Sequence, residues 1–162
     1  MREANGGAAR LPLVAALVVA ACALPATAAH AGTGTATDAA TSAVVARVNE
    51  ERAEAGCSPV SVDSRLTEAA RDHAQDQAEH RKMTHTGSDG STPGERVTRA
   101  GYSWRKVAEN VASGTESADR VMTMWMNSSG HRANILNCAF RHIGVAHVDG
   151  YWTQDFATPR SS

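Results

Sequence analysis

Basic and aromatic side chains are both scarce in this chain of 162 residues. Lys82 and Lys106 are its only lysines, no run of Lys or Arg stands out, and aromatic residues make up 4%. Nucleic-acid binding needs a basic stripe against phosphates or an aromatic platform under bases. Neither is present, so that class is excluded. The sequence also has no H-E-x-x-H and no G-x-S-x-G, and it lacks P-loop and dinucleotide fingerprints. Their absence removes the commonest metalloprotease, esterase and nucleotide-binding readings. The longest apolar run, Leu11 to Leu24, falls short of the roughly 20 residues a transmembrane helix requires.

That run has a different meaning. Arg2 and Arg10 form a positive n-region before it, and Ala26-Thr27-Ala28 and Ala29-His30-Ala31 follow as small-residue cleavage sites. This is the layout of a secretory signal peptide over 1–31, with a mature start near Gly32 and a secreted product. The competing reading takes Val19-Ala20-Ala21-Cys22 as a lipobox, which makes Cys22 an acylated membrane anchor of a lipoprotein. Losing Arg2, Arg10 and Glu3 leaves 14 basic against 16 acidic residues, a nearly neutral mature chain. Residues 32–42, rich in Gly, Thr and Ala, read as a flexible leader. One domain of about 120 residues follows, over 43–158.

Cysteine is rare too. If Cys22 leaves with the signal, Cys57 and Cys138 remain, and an even count in an exported chain favours a disulfide. Closing a loop of about 80 residues contributes roughly 4 kcal/mol in the chain-entropy model. Two free thiols or a metal pair are the alternatives, and the lack of C-x-x-C argues against zinc.

Hydrophobic spacing predicts helices over 42–55, stopped by Gly56, and over 63–82, capped by Asp63 or Ser64. The second carries an alanine-rich face for close packing. Residues 86–94 have loop chemistry. A short helix is expected over Glu95–Ala100 and a brief strand over Val107–Ala112. A helix over 116–127 is expected to bury Val121, Met124 and Trp125 and to stop at Asn127-Ser128-Ser129-Gly130. One further turn covers Arg132–Leu136. The alternation through Ile143, Val145 and His147, then Asp149-Gly150, then Tyr151–Ala157, reads as a β-hairpin. This mixed order favours an α+β fold with helices flanking a sheet.

Three polar residues on separate segments stand out: His85, Glu109 and His131. Imidazoles suit proton transfer or divalent metals near neutral pH, and a carboxylate can orient one or complete a metal site. The alternative for such a trio is ordinary hydrogen bonding. His73 and His80 lie two turns apart on one helix, so packing or solvation is expected of them, and His142 and His147 read as surface or strand-face residues. Trp125 and Trp152 are expected in the core. Asn110 and Asn134 are expected to hydrogen-bond buried backbone.

Four motifs occur in order: Thr84-His85-Thr86-Gly87-Ser88, Ala108-Glu109-Asn110-Val111-Ala112, Trp125 to Leu136 with Gly130-His131-Arg132-Ala133-Asn134-Ile135-Leu136, and Tyr151-Trp152-Thr153-Gln154-Asp155-Phe156. Together they resemble the CAP superfamily, also called the SCP domain, over about residues 43–157. The resemblance implies a three-layer α-β-α sandwich with a central antiparallel sheet and a cleft. In the eukaryotic branch that cleft holds two histidines and two glutamates and sometimes zinc. His85 and Glu109 match the first histidine and one glutamate. Asn127 and Ser128 stand where the second glutamate would be, and Tyr151 precedes Trp152-Thr153-Gln154 where the second histidine would be. The implied cleft therefore comprises His85, Glu109, His131, Asn127 and Gln154, with His85 and His131 as candidate ligands for a divalent cation such as zinc. A non-catalytic extracellular module that binds a lipid- or sterol-like ligand or a protein partner is the expectation. The alternative is a hydrolase, metal-dependent or serine-type, in which His85 or His131 is the base, Glu109 its orienter, and Ser128 or Ser129 the nucleophile.

Overall fold

Strand alternation sorts the hydrophobic and polar residues of this chain onto opposite faces of one sheet. The computed structural model describes residues 33–161. The signal peptide expected over 1–31, and Cys22 with it, lies outside the described residues. The elements run α1 Thr33–Glu54, β1 Ser61–Val62, α2 Ser64–His80, α3 Pro93–Arg99, β2 Trp104–Ser113, α4 Ala118–Met126, α5 Ser129–Ile135, β3 His142–Val148 and β4 Tyr151–Pro159. The sheet order is β1-β3-β4-β2. Strands β3 and β4 form the antiparallel hairpin, turning at Asp149-Gly150, and β2 pairs antiparallel with β4. Both turn residues adopt positive φ (47° and 79°), as a two-residue hairpin turn of this type requires.

The fold is α+β, and several of the expectations need correction. The sheet is mixed rather than antiparallel, because β1 pairs parallel with β3. Two residues between Pro59 and α2 are too few to leave an alternation signal. Residues 33–42 form the first part of α1, and Ala40 packs against the core. Alanine and threonine there continue the helix of Val44 and Val48 rather than a leader. Gly130 lies inside α5 instead of ending a helix. Asn127 is the C-cap of α4 and Ser128 the N-cap of α5, so the chain restarts a helix after a single break. In α4 it is Met122 that is buried beside Val121 and Trp125, while Met124 is exposed. No helix among the described residues is long and apolar enough to cross a membrane.

Even-numbered residues of β2 and β4 and odd-numbered residues of β3 face α1, α4 and α5. There Ala112, Trp152, Phe156, Ile143 and Val145 pack with Val44, Val48, Trp125 and Ile135. Fully burying one such large side chain contributes about 1.5–3 kcal/mol. The indole N–H of Trp125 donates to the carbonyl of Val111 (3.2 Å) and that of Trp152 to the carbonyl of Thr115 (2.7 Å), so neither core anchor leaves a donor unmet. Arg52 is fully buried and donates to the carbonyls of Ser58, Ile135, Asn137 and Phe140. It stitches α1 to the turn after α5, where Cys57 and Cys138 form a disulfide.

The opposite face packs against α2 and α3. Ala70 and Ala74 lie on Ala146. At Gly144 a Cβ atom would meet the backbone carbon of Leu66 at 2.1 Å. Glycine is required there because the axis of α2 lies so close to the sheet.

Candidate functional site

Glu109 stands on β2 directly opposite Asp155 on β4, and both point into the layer under α2 and α3. The Glu109 side chain is almost wholly buried, and both of its oxygens are engaged. Oε1 accepts from Nδ1 of His85 (2.8 Å) and Oε2 from Nη2 of Arg96 (2.6 Å). A buried carboxylate needs such partners, because the desolvation penalty is otherwise several kcal/mol.

His85 is held from several sides. The same Arg96 nitrogen that meets Glu109 donates to the His85 carbonyl (3.0 Å). Arg96 also reaches the carbonyl of Ser91 at 2.8 Å, which fixes the next loop. At Thr84, just before His85, Nε2 of His73 donates to the carbonyl (2.7 Å) and the N–H donates to Oε1 of Gln77 (3.2 Å). Gln77 in turn donates to Oγ1 of Thr153 (2.9 Å). Helix α2 and the sheet thus position the loop, while the imidazole itself is 54% exposed. The result is an oriented ring whose Nδ1 is committed to a carboxylate and whose Nε2 remains available.

His131 arrives from the other layer, around the outer edge of β2. Its carbonyl accepts from Nδ2 of Asn110 (3.2 Å), and the same amide group donates to Oε1 of Gln154 (2.9 Å). Asn134 then donates to the side chain of Asn110 (2.8 Å) and to the carbonyl of Glu109 (3.3 Å). Asn110 and Asn134 thus hold α5 against the strand edge.

The electrostatics differ among the three imidazoles. The hydrogen bond to Glu109 raises the pKa of His85, despite some burial. Burial lowers that of His131, and the nearby His85 charge lowers it further. Burial also lowers His73, outweighing the attraction of Glu109 at 3.9 Å. The site therefore pairs one imidazole that holds its proton more readily than a free histidine with two that hold theirs less readily. Asp155 is fully buried, and its pKa is raised well above the ordinary carboxyl value by desolvation and by the Glu109 charge, with Arg96 opposing. Among the described residues neither carboxyl oxygen of Asp155 has a hydrogen-bond partner.

His85 and Glu109 meet at this edge of the sheet, and His131 lies near enough for the His85 charge to act on its ring. Gln154 is fully buried behind them and supports Asn110 rather than lining an opening. Asn127 does not join the group. It lines a separate depression of about 300 Å³ between α1 and α4, with Arg47, Glu51, Asp119 and Met122. Three residues of the site escaped the sequence reading: His73, Arg96 and Asp155. His73 lies on an alanine-rich face that reads as core. Asp155 offered a signal, the one charged residue of the hairpin strand Tyr151–Pro159.

The donor set does not suit a resident divalent cation. Glu109 has both oxygens occupied, one by a guanidinium that repels a metal ion. Among the described residues no group of three His, Cys, Asp or Glu side chains is placed to hold a metal. Nor does any hydroxyl or thiol among them hydrogen-bond to the imidazole of His85 or His131. A groove of about 860 Å³ opens beside Glu109, with Pro93, Gly94, Thr98, Arg99, Trp104 and Val107 among its walls. The indole of Trp104 is pinned by its N–H to Oγ1 of Thr98 (2.9 Å). A Cβ at Gly94 would strike that ring at 2.8 Å, so glycine lets the indole lie close against α3.

The chain is similar to known proteins over most of its length. It is 37% identical over 138 residues to the uncharacterized protein YkwD of Bacillus subtilis, covering 82% of this chain and 54% of that one, so the chain spans about half that relative's length. An extracellular protein containing a SCP domain from Bacillus anthracis superposes with a TM-score of 0.73 at 25% identity, covering 75% of this chain and 41% of that one. An outer surface protein from Borrelia burgdorferi gives 0.71 at 26% identity, covering 76% of this chain and 96% of that one. Residues 45–156 match the pattern of the CAP, or cysteine-rich secretory protein, family, and the chain belongs to that family.

Proposed function

We propose that the chain is an extracellular binding module without catalytic turnover, whose ligand sits in the cleft between His85 and His131 and extends along the groove beside Glu109. The observation that carries this reading is the commitment of Glu109 to His85 and Arg96 at 2.8 and 2.6 Å. That arrangement orients an exposed imidazole but supplies no nucleophile and no open metal position. At the cleft His85 offers Nε2, its proton held more readily because Nδ1 bonds Glu109, and His131 offers a ring whose neutral form is favoured by burial. The groove then offers Trp104, Val107 and Pro93 to an apolar body. A ligand with a polar end and an apolar flank, either lipid- or sterol-like or a segment of a protein partner, matches both halves. An outward location is supported by the extracellular and outer-surface descriptions of two structural relatives.

The test is a binding and turnover comparison of the wild type with His85→Ala and Glu109→Gln. Ergosterol, palmitate and a random peptide library serve as probes, and casein serves as a hydrolase substrate. A probe whose NMR shifts map to His85, Trp104 and Val107, and whose binding is lost in His85→Ala, supports the reading. Casein hydrolysis present in the wild type and absent in Glu109→Gln overturns it in favour of a hydrolase.

A further inference from the structure

Strand β2 is an edge strand, and its two halves are treated differently. On the outer edge of the C-terminal half, the carbonyl of Glu109 accepts from Asn134 and that of Val111 from Trp125. On the other side Gly114 N–H donates to Gly150, opposite it. In an antiparallel ladder, residues alternate between pairing inward and pointing both backbone groups outward. The odd residues Val107, Glu109 and Val111 therefore point outward. Ala157, opposite Val107, accepts instead from Arg141 on its β3 side, which agrees with that parity. Past the covered half, the N–H and carbonyl of Val107 and the N–H of Glu109 face the groove walled by Trp104, Pro93 and Thr98.

Exposed edges are normally blunted by bulges and charges. Here the irregularity lies between Trp104 and Lys106, and the exposed cations are Arg105 and Lys106. That protection ends before Val107. Beyond it lies a short stretch of unblunted edge beside a fixed indole and an oriented histidine.

We propose that the groove binds an extended peptide segment of a protein partner by strand addition to β2. The peptide exchanges main-chain hydrogen bonds with Val107 and Glu109, places an apolar side chain against Trp104 and meets Arg105 with an acidic residue. Main-chain pairing supplies affinity and alternate side-chain pockets supply specificity, as in other edge-strand recognition. The groove wall itself carries Asp89, Glu95 and Glu109 against Arg99, so the charge complement for an acidic residue is confined to Arg105, exposed at the open end of the strand. The inference rests on the binding-module reading above and names its ligand class.

The experiment selects binders from a random decapeptide library on the full chain, then resynthesises the best one with single N-methyl groups along its backbone. Strand addition predicts a two-residue period. Methylation at residues facing β2 weakens binding roughly tenfold or more, and methylation at the alternate residues leaves it unchanged. The bound peptide slows amide exchange at Val107 and Glu109. Val107→Pro removes an outward N–H, a substitution edge strands accommodate, together with a side chain packed beside Val97 and Tyr102, and abolishes binding; the N-methyl series gives the same information without altering the protein. Recovery of no binder, or a binder indifferent to N-methylation at both parities, overturns the proposal. Slowing of these amides by phosphatidylcholine vesicles but not by peptide overturns it in favour of a lipid. A His85→Ala arm separates the two readings: binding that needs His85 but ignores Val107→Pro keeps the cleft and discards strand addition. Binding that needs the Val107 N–H but ignores His85 does the reverse.

Discussion

The two faces of the sheet are made by alternate residues of the same strands, yet they are built on opposite principles. Toward α1, α4 and α5 the strands present Phe156, Trp152, Ile143 and Val145, buried among apolar side chains. Toward α2 and α3 they present Glu109, Thr153 and Asp155, buried among His73, Gln77 and Arg96. The first face has the hydrophobic burial that drives folding. The second takes charge out of water, and ion pairs in such places at best break even against apolar packing. A protein selected for stability alone has no use for the buried charges of the second face, which stand beside the apolar packing of Leu66, Val97, Tyr102 and Ala157. Its polar layer is accounted for by what it holds at the sheet edge, an exposed His85 fixed within hydrogen-bond reach of a buried carboxylate.

The contrast is broken most severely on the apolar face. Phe156→Ala is expected to cost about 3–5 kcal/mol, measured by chemical denaturation, with the His85 environment unchanged in whatever fraction remains folded. Gly144→Ala follows, at about 3 kcal/mol or more, because the added methyl collides with the backbone of Leu66 and overpacking cannot be relieved by rotating a side chain. Circular dichroism melts of the two variants rank them.

On the polar face the expected sign reverses. The folded pKa of Asp155 lies above its unfolded value of about 4. The folded state therefore holds a proton that the unfolded state releases. Stability is greatest below the unfolded pKa and falls by up to about 1.4 kcal/mol per pH unit as pH rises toward the folded one. Asp155→Asn removes this dependence. The variant should match the wild type in urea denaturation near pH 4 and exceed it at pH 7. A variant that is less stable at pH 7 means that Asp155 is ionised and paired there.

Much of the apolar face was legible in the sequence. The spacing of Val44, Val48 and Arg52, the stripe through Trp125, and the alternation around Asp149-Gly150 each reflect a repeating period, which one chain displays unaided. The pairing of Cys57 with Cys138 followed from a count. Site partners have no period. His85 and Glu109 are 24 residues apart and Arg96 lies on a third element, so their contact depends on topology that spacing does not encode. His73 looked like core for a sound reason: it is core, and its role comes through the Thr84 carbonyl. Asn127 was placed in the cleft by its order after the tryptophan helix, whereas the turn of α4 into α5 carries it to the α1 side. The edge β1 left no trace, because two residues have no alternation.

An NMR titration of the histidine ring protons tests most directly whether the polar layer holds His85 against Glu109 and raises its proton affinity. His85 is expected to titrate above the ordinary histidine value, with His73 and His131 below it. Glu109→Gln should bring His85 back down while the other two remain low. The sign for stability follows from the raised value: the His85 contribution is present in full below the unfolded pKa of about 6.5 and is lost as pH rises through the folded one. A His85 that titrates at or below the ordinary value in the wild type, or that does not move in Glu109→Gln, contradicts the account.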